Sequence, residues 1–172
     1  MNLLFDFTVD KATATIYITR EFAADLDLVW DAFTKAEMLD QWVGPKPYRV
    51  QTKEMDFRVG GRWLYCMISP ENVVALGRYS LAKYIEINPK SGFTTRNSFC
   101  DENGDPINGV FTSSLTETSF KAGAGMTTVQ IVKKMADLAQ LEQFVAGGYF
   151  KEGTAAGFAN LDKYLHTLVT NK

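Results

Sequence analysis

Residues 56–67, DFRVGGRWLYCM, hold the densest collection of chemically useful side chains in the chain. Asp56 and Arg58 stand two apart. Trp63, Tyr65 and Met67 then alternate, so on a strand a ring, a phenol and a thioether share one face. Large polarisable groups in such a row suit the wall of an apolar ligand site. A carboxylate buried beside a guanidinium stays charged, which favours orienting a polar group over proton transfer near neutral pH. A purely structural ion pair is the alternative. Tyr65, Tyr79 and Tyr149 offer donors to a ligand carbonyl, or else are core residues with wet hydroxyls. Glu54, Asp56, Arg58 and Tyr79 form the one set that an enzyme reading has to test.

Other chemistries lack their residues. No Gly-x-Ser-x-Gly elbow is present, and the one histidine, His166, falls in a terminal helical pattern as a surface or packing residue. Cys66 and Cys100 show no CxxC or metal spacing and read as reduced packing groups. No catalytic residue, metal site or cofactor is therefore assigned. The GAG after residue 122 is a hairpin turn, and Lys133-Lys134 reads as a solvated strand end. A net charge of −2 without a basic block argues against nucleic acid. No run approaches the ~20 apolar residues of a membrane span. The N-terminus lacks the basic region of a signal peptide. A cytoplasmic location is expected.

The elements that must position the row follow from periodicity. Residues 11–22 alternate as a strand. Asp25 is a candidate N-cap for a helix carrying Leu26, Val29, Trp30 and Phe33, and a second short helix stops at Gly44-Pro45. Gly60-Gly61 reads as a two-residue hairpin turn that pairs Arg58 with Trp63, Asp56 with Tyr65 and Glu54 with Met67. Phe57 and Leu64 lie on the opposite face. Either that apolar face is buried, or the mixed face turns inward to line a cavity; the row of rings favours the second. Strands continue to about residue 136, and then the period becomes helical over 137–148 and again to about 169. A single antiparallel sheet can bury its apolar face under such a helix. Gly153 and Gly157 each cost ~1 kcal/mol within it, so a close approach of backbone or ligand is expected there. The whole reads as one domain, 1–172, with its core at about 11–169.

Four segments in this order, ITREFAADLDLVWDAFTKAEMLDQWVGP, DFRVGGRW with Met67, ALGRYSLAKYIE and GYFKEGTAAGFANLDKYL, resemble the activator of heat shock protein 90 ATPase homologue-like family. That family belongs to the START-like (SRPBCC) superfamily, which includes the birch pollen allergen. The resemblance covers about 12–168. It implies an α+β helix-grip fold: a curved antiparallel six- to seven-stranded sheet wrapped around a long C-terminal helix, with two short helices after the first strand. Trp30, Trp42, Asp56, Arg58, Gly60, Gly61, Trp63, Met67, Gly77, Tyr79 and Gly153 match the family pattern. Leu81, where an acid is common, and Val43, where an aromatic is common, depart from it. Both departures weaken a shared catalytic acid and leave a cavity intact. The implied ligand site comprises Trp42, Asp56, Arg58, Trp63, Tyr65, Met67, Tyr79, Phe99, Tyr149 and Gly153. Its expected occupant is a small, mostly apolar molecule, a lipid or an aromatic. A co-chaperone-like module in the stress response, with a chaperone as partner, and a cyclase- or hydrolase-type enzyme are the alternatives. A homodimer is compatible with the family, although no interface is legible.

Overall fold

The computed structural model describes residues 2–109 and 113–171. Eight strands form one antiparallel sheet: β1 (Phe5–Asp10), β2 (Thr15–Phe22), β3 (Arg49–Met55), β4 (Arg62–Ile68), β5 (Tyr79–Asn88), β6 (Gly92–Cys100), β7 (Ser114–Gly123) and β8 (Met126–Met135). Their order across the sheet is β1-β2-β8-β7-β6-β5-β4-β3. The helices are α1 (Leu26–Thr34), α2 (Ala36–Trp42), α3 (Leu138–Val145) and α4 (Tyr149–Thr170).

The expected six or seven strands are thus corrected to eight. The additional strand is β1, an edge strand held by β2 alone. Its Phe5 and Phe7 alternate with Asp6 and Thr8, and they reach Phe158 and Phe150 of α4 with ring centroids 6.1 and 6.0 Å apart. The strand read as 11–22 starts only at Thr15. Before it, the Asp10 carboxylate accepts from Ala12 N at 3.0 Å and Thr13 Oγ1 at 2.8 Å, closing a turn. The two short helices therefore follow the second strand. Asp25 occupies the N-cap of α1 but makes no capping hydrogen bond with its side chain.

The turn after β3 is also corrected. Asp56 to Gly61 make a six-residue connection, not a two-residue turn. Asp56 N donates to Arg62 O at 2.8 Å, and Gly61 N donates to Arg58 O at 2.8 Å. The next strand captures the tip: Gly60 N donates to Tyr84 O at 2.9 Å, and Tyr84 N donates to Gly61 O at 3.0 Å. A bulge between Thr52 and Glu54 completes the change, so the pairs are Met55 with Trp63, Thr52 with Tyr65 and Val50 with Met67. Phe57 turns inward and meets Trp30, Tyr84 and Phe93 edge-on.

One face of the sheet meets the helices. Phe22, Phe120 and Val129 pack there with Trp30, Phe33, Leu39, Trp42, Phe158, Leu161 and Leu165 in the principal core. The opposite face of β4–β6 carries a small second cluster, Leu64, Leu81 and Cys100 with Tyr79 against them. The loop after β6 leans over it, with Asn103 O accepting from Arg62 Nη1 at 3.2 Å. Both faces of this hairpin carry apolar groups that pack, which is why neither could be discarded from the sequence.

Helix α4 is fixed to the rest at three places. Arg20, buried on β2, pairs with Asp162. Asn160 Nδ2 donates to Gly44 O at 3.0 Å. A Cβ on Gly157 would stand 3.2 Å from Val43 O, so this glycine admits the end of α2. Removal of a partner strands a largely buried guanidinium. Asp162→Ala should lower the unfolding free energy by about 1–2 kcal/mol, half-exposure of the carboxylate moderating the loss; chemical denaturation checks it. Gly153 behaves differently: a Cβ there would meet nothing within 4 Å. The close approach expected at Gly153 is absent, because the neighbouring backbone reaches the helix only one turn later. Gly153→Ala should therefore stabilise by about 0.5–1 kcal/mol, visible as a higher Tm.

Candidate functional site

Pairing across the sheet places residues in rows on the face toward the helices. Tyr65, Ser80 and Phe99 stand in one row across β4, β5 and β6. The next row is Trp63, Ala82, Asn97, Ser114 and Met135. The third is Tyr84, Thr95, Thr116, Lys133 and Ile16. Farther along, Phe93 and Phe120 close against Trp30 of α1. The inner face is therefore packed with rings at one end and lined by mixed polar and aromatic groups at the other.

Trp63 and Tyr65 stack with centroids 3.8 Å apart and planes 17° from parallel. Trp63 Nε1 donates to Thr52 Oγ1 at 2.9 Å, which in turn donates to the Asp40 carboxylate of α2 at 2.6 Å. This chain fixes the indole. Both rings face inward yet remain only half-buried, as do Phe99 and Asn97. Burial raises the Tyr65 phenol above its usual range, with Ser80 pulling it back through a hydrogen bond, and burial raises Tyr84 as well. Both are neutral hydroxyl donors at physiological pH, unsuited to act as bases.

The unexpected member is Lys133. It was read as a solvated strand end, but its side chain is 8% exposed on the inner face. Its parity follows from Val129, Ile131 and Met135, and Lys134 is the exposed member of the doublet. Lys133 Nζ donates to Thr116 Oγ1 at 3.3 Å and lies 5.4 Å from the centre of the Phe144 ring on α3. No carboxylate pairs with it among the described residues. Desolvation alone lowers its pKa to about 8. Two residues along β7 from Thr116, at the next inward position, the Ser114 hydroxyl is buried without any hydrogen-bond partner. Thr95 Oγ1 donates to Asn97 Oδ1 at 2.8 Å. An underpaired cation and an orphaned hydroxyl, side by side on a face turned inward, can bind an anionic or strongly accepting group.

The ten expected site residues divide. Trp63, Tyr65 and Phe99 line the inner face, with Met67 at its rim, 39% exposed. Trp42 is core: it is 6% exposed and its Nε1 donates to Ala32 O at 2.9 Å. Gly153 borders open space on α4. Four are moved elsewhere. Asp56 and Arg58 form a 2.6 Å ion pair with side chains 43% and 71% exposed, because the long connection carries them out past the sheet. Tyr79 lies on the outer face beside Cys66, by strand parity. Tyr149, at the first turn of α4, is 79% exposed. Glu54 pairs with Arg62 at 2.8 Å instead of joining an inward acid–base set. Both cysteine thiols are pushed up by burial, against thiolate chemistry. Two surface depressions, of about 270 and 220 Å³, lie at the β5–β6 hairpin end beside β7 and beside the last turns of α4, away from this cluster.

The family described as Activator of Hsp90 ATPase homolog 1-like protein matches residues 23–166. Among solved structures, the chain is similar to protein Ms6760 from Mycobacterium smegmatis, at 24% identity over 97% of this chain and 99% of that one, with a TM-score of 0.83. A protein from Arthrobacter aurescens gives 21% identity, 91% and 88% coverage and a TM-score of 0.80. The AHSA1 protein from Silicibacter pomeroyi gives 15% identity, 89% and 98% coverage and a TM-score of 0.66. These identities speak for the fold alone. No curated protein matches the chain.

Proposed function

The chain belongs to the Activator of Hsp90 ATPase homolog 1-like family, and on that premise we propose that it is a binding module for one small, mostly apolar molecule held between the sheet and α4. The observation that carries this reading is the stacked Trp63–Tyr65 pair, turned toward the helices but half-buried. A purely structural core closes on its rings, as this one does around Phe22 and Trp30. Ligand sites instead combine apolar walls with a few placed polar groups, and here Asn97, Ser114 and Lys133 follow the rings across the same face, two, three and four strands from β4.

The test uses Trp63 as the reporter, since Trp30 and Trp42 are each 6% exposed. A fitting apolar ligand should quench the emission of Trp63 and raise the Tm, since mass action adds about 2.7 kcal/mol to the unfolding free energy at one hundred times its Kd. Trp63→Phe should remove most of the quenching and keep the thermal shift. A broad library of lipids and aromatic molecules that produces neither effect counts decisively against the reading.

The family's name favours a second reading, a chaperone-docking module, and one feature supports it. Val73 and Leu76, in the connection from β4 to β5, are 60% and 79% exposed. Stimulation of a chaperone ATPase, lost in a Val73→Ser/Leu76→Ser variant, is the result that would establish it.

A further inference from the structure

Lys133 raises a question that an apolar ligand leaves unanswered. A lysine enclosed without a carboxylate destabilises the fold, and natural proteins rarely keep one without a partner. The hydroxyl of Ser114, on the same face two cross-strand pairs away, also lacks a partner. Two neighbouring polar groups are thus left wanting at one place. A ligand carrying an anionic acceptor would answer both.

We infer that the inner space takes a long-chain apolar acid, its carboxylate against the Lys133 ammonium with Ser114 and Thr116 as hydroxyl donors, and its tail directed toward Trp63 and Tyr65. This rests on the ligand-binding reading above. One negative charge is indicated beside Lys133, the fully buried cation on this face that has no carboxylate among the described residues; Arg78, half-buried with its guanidinium 3.8 Å from the Phe99 ring centre, lies at the ring end instead. Arg20, the other buried cation on this face, is already committed to Asp162, and Lys134 points away into solvent. A phosphate dianion would leave one charge uncompensated in a poorly solvated place. The long chain follows from the sheet order. Lys133 on β8 and Trp63 on β4 are four strand spacings apart, at most about 19 Å along the sheet. Between them the inner face carries Thr116, Thr95 and Tyr84 in the row of Lys133, and Ser114, Asn97 and Ala82 in the row of Trp63. A short acid anchored at Lys133 leaves the rings unfilled. The ring of Phe144, 5.4 Å from the ammonium, screens it from bulk water, which strengthens the pairing.

The experiment compares dodecanoate with 1-dodecanol on the delipidated full-length protein, followed by isothermal calorimetry and Trp63 emission. Wild type should bind the acid at least about tenfold tighter than the alcohol, the usual worth of a charged hydrogen bond. Lys133→Met should lose that preference, read as the ratio of acid to alcohol affinity within the variant. Lys133→Gln, which keeps polarity without charge, should do the same. Equal binding of the two probes by wild type, or a preference surviving in both variants, overturns the carboxylate anchor and leaves the apolar site standing. Binding of neither probe, in a protein whose Trp63 does answer to uncharged apolar molecules, also overturns the anchor alone. Silence toward every probe overturns both readings together.

Discussion

Lys133→Met should make the ligand-free protein more stable by about 3 kcal/mol near pH 7, or some 8 °C in Tm. An unfolded lysine titrates near 10.5, whereas burial brings Lys133 down to about 8. A depression of that size is the free energy of keeping the ammonium where little replaces its water: one hydroxyl at 3.3 Å and one aromatic face. Methionine fills a similar volume without a charge. The sign with pH follows from proton counting. Below about pH 8 both folded and unfolded chains carry the proton, and the folded state bears the whole penalty. Between 8 and 10.5 the unfolded chain holds a proton that the folded chain has released, so rising pH stabilises the fold. Above 10.5 the penalty has vanished. The advantage of Lys133→Met over wild type should therefore shrink steadily as pH rises from 8 toward 10. Cys66, Cys100, Tyr65 and Tyr84, whose raised values act in the opposite direction at high pH, are shared by both proteins and cancel in the difference. Urea titrations at pH 7, 8.5 and 10 read the effect directly. Lys134→Met, on the exposed neighbour, should change stability by less than about 0.5 kcal/mol. A Lys133→Met protein weaker than wild type at pH 7 would show that the ammonium is compensated in place, and would remove the reason for seeking an anion.

The same lysine shows what the sequence made legible and where it stopped. Thr127, Val129, Ile131 and Met135 alternate on the buried face, so period two alone assigned Lys133 to it. Reading Lys133-Lys134 as a solvated doublet set charge above parity, and that choice hid the central polar group of the site. Parity did hold for Trp63, Tyr65 and Met67, which share the inner face as an alternating row must. Lost from sight was whatever depends on distant pairing. Tyr65 opposite Ser80, and Ser80 opposite Phe99, are register facts from three strands, and no local pattern encodes them. The outward displacement of Asp56 and Arg58 depended on the length of a turn. The inner row of Asn97, Ser114 and Thr116 carried a faint signal, polar residues at inward parity in strands otherwise alternating correctly, recognisable only once the neighbouring strands were known. The helix grip itself was the easier part, because a long amphipathic C-terminal helix and an antiparallel sheet each need the other's apolar face.

The two glycines of the β3–β4 connection serve different physical needs, and substitution separates them. Gly60 has a φ of +86° with open space around it. Gly60→Ala should cost about 1 kcal/mol, the price of a left-handed backbone for an L-residue. Gly61 has no such φ, but a Cβ there would stand 2.1 Å from Asp56 O and 3.0 Å from Asp56 C. Those are backbone atoms that cannot rotate away. Accommodating the methyl would force the connection open and would break the bonds that hold it: Asp56 N to Arg62 O, Gly60 N to Tyr84 O and Tyr84 N to Gly61 O. Each is worth about 1 kcal/mol, and Phe57 would lose its seat against Trp30, Tyr84 and Phe93 as the loop moved. Gly61→Ala should therefore destabilise by about 3–4 kcal/mol, several times the effect at Gly60. Denaturant midpoints for the two variants decide the matter, since equal losses would mean that the hairpin tip has enough freedom to yield. The consequence reaches the site. Pairing of Tyr84 with Gly61 fixes the register in which β4 lies on β5, and that register puts Trp63 and Tyr65 on the inner face, where Thr52 links the indole to Asp40 of α2. Any Gly61→Ala protein that remains folded at low temperature should show the Trp63 emission shifted to the red, because an indole released from Thr52 meets more water.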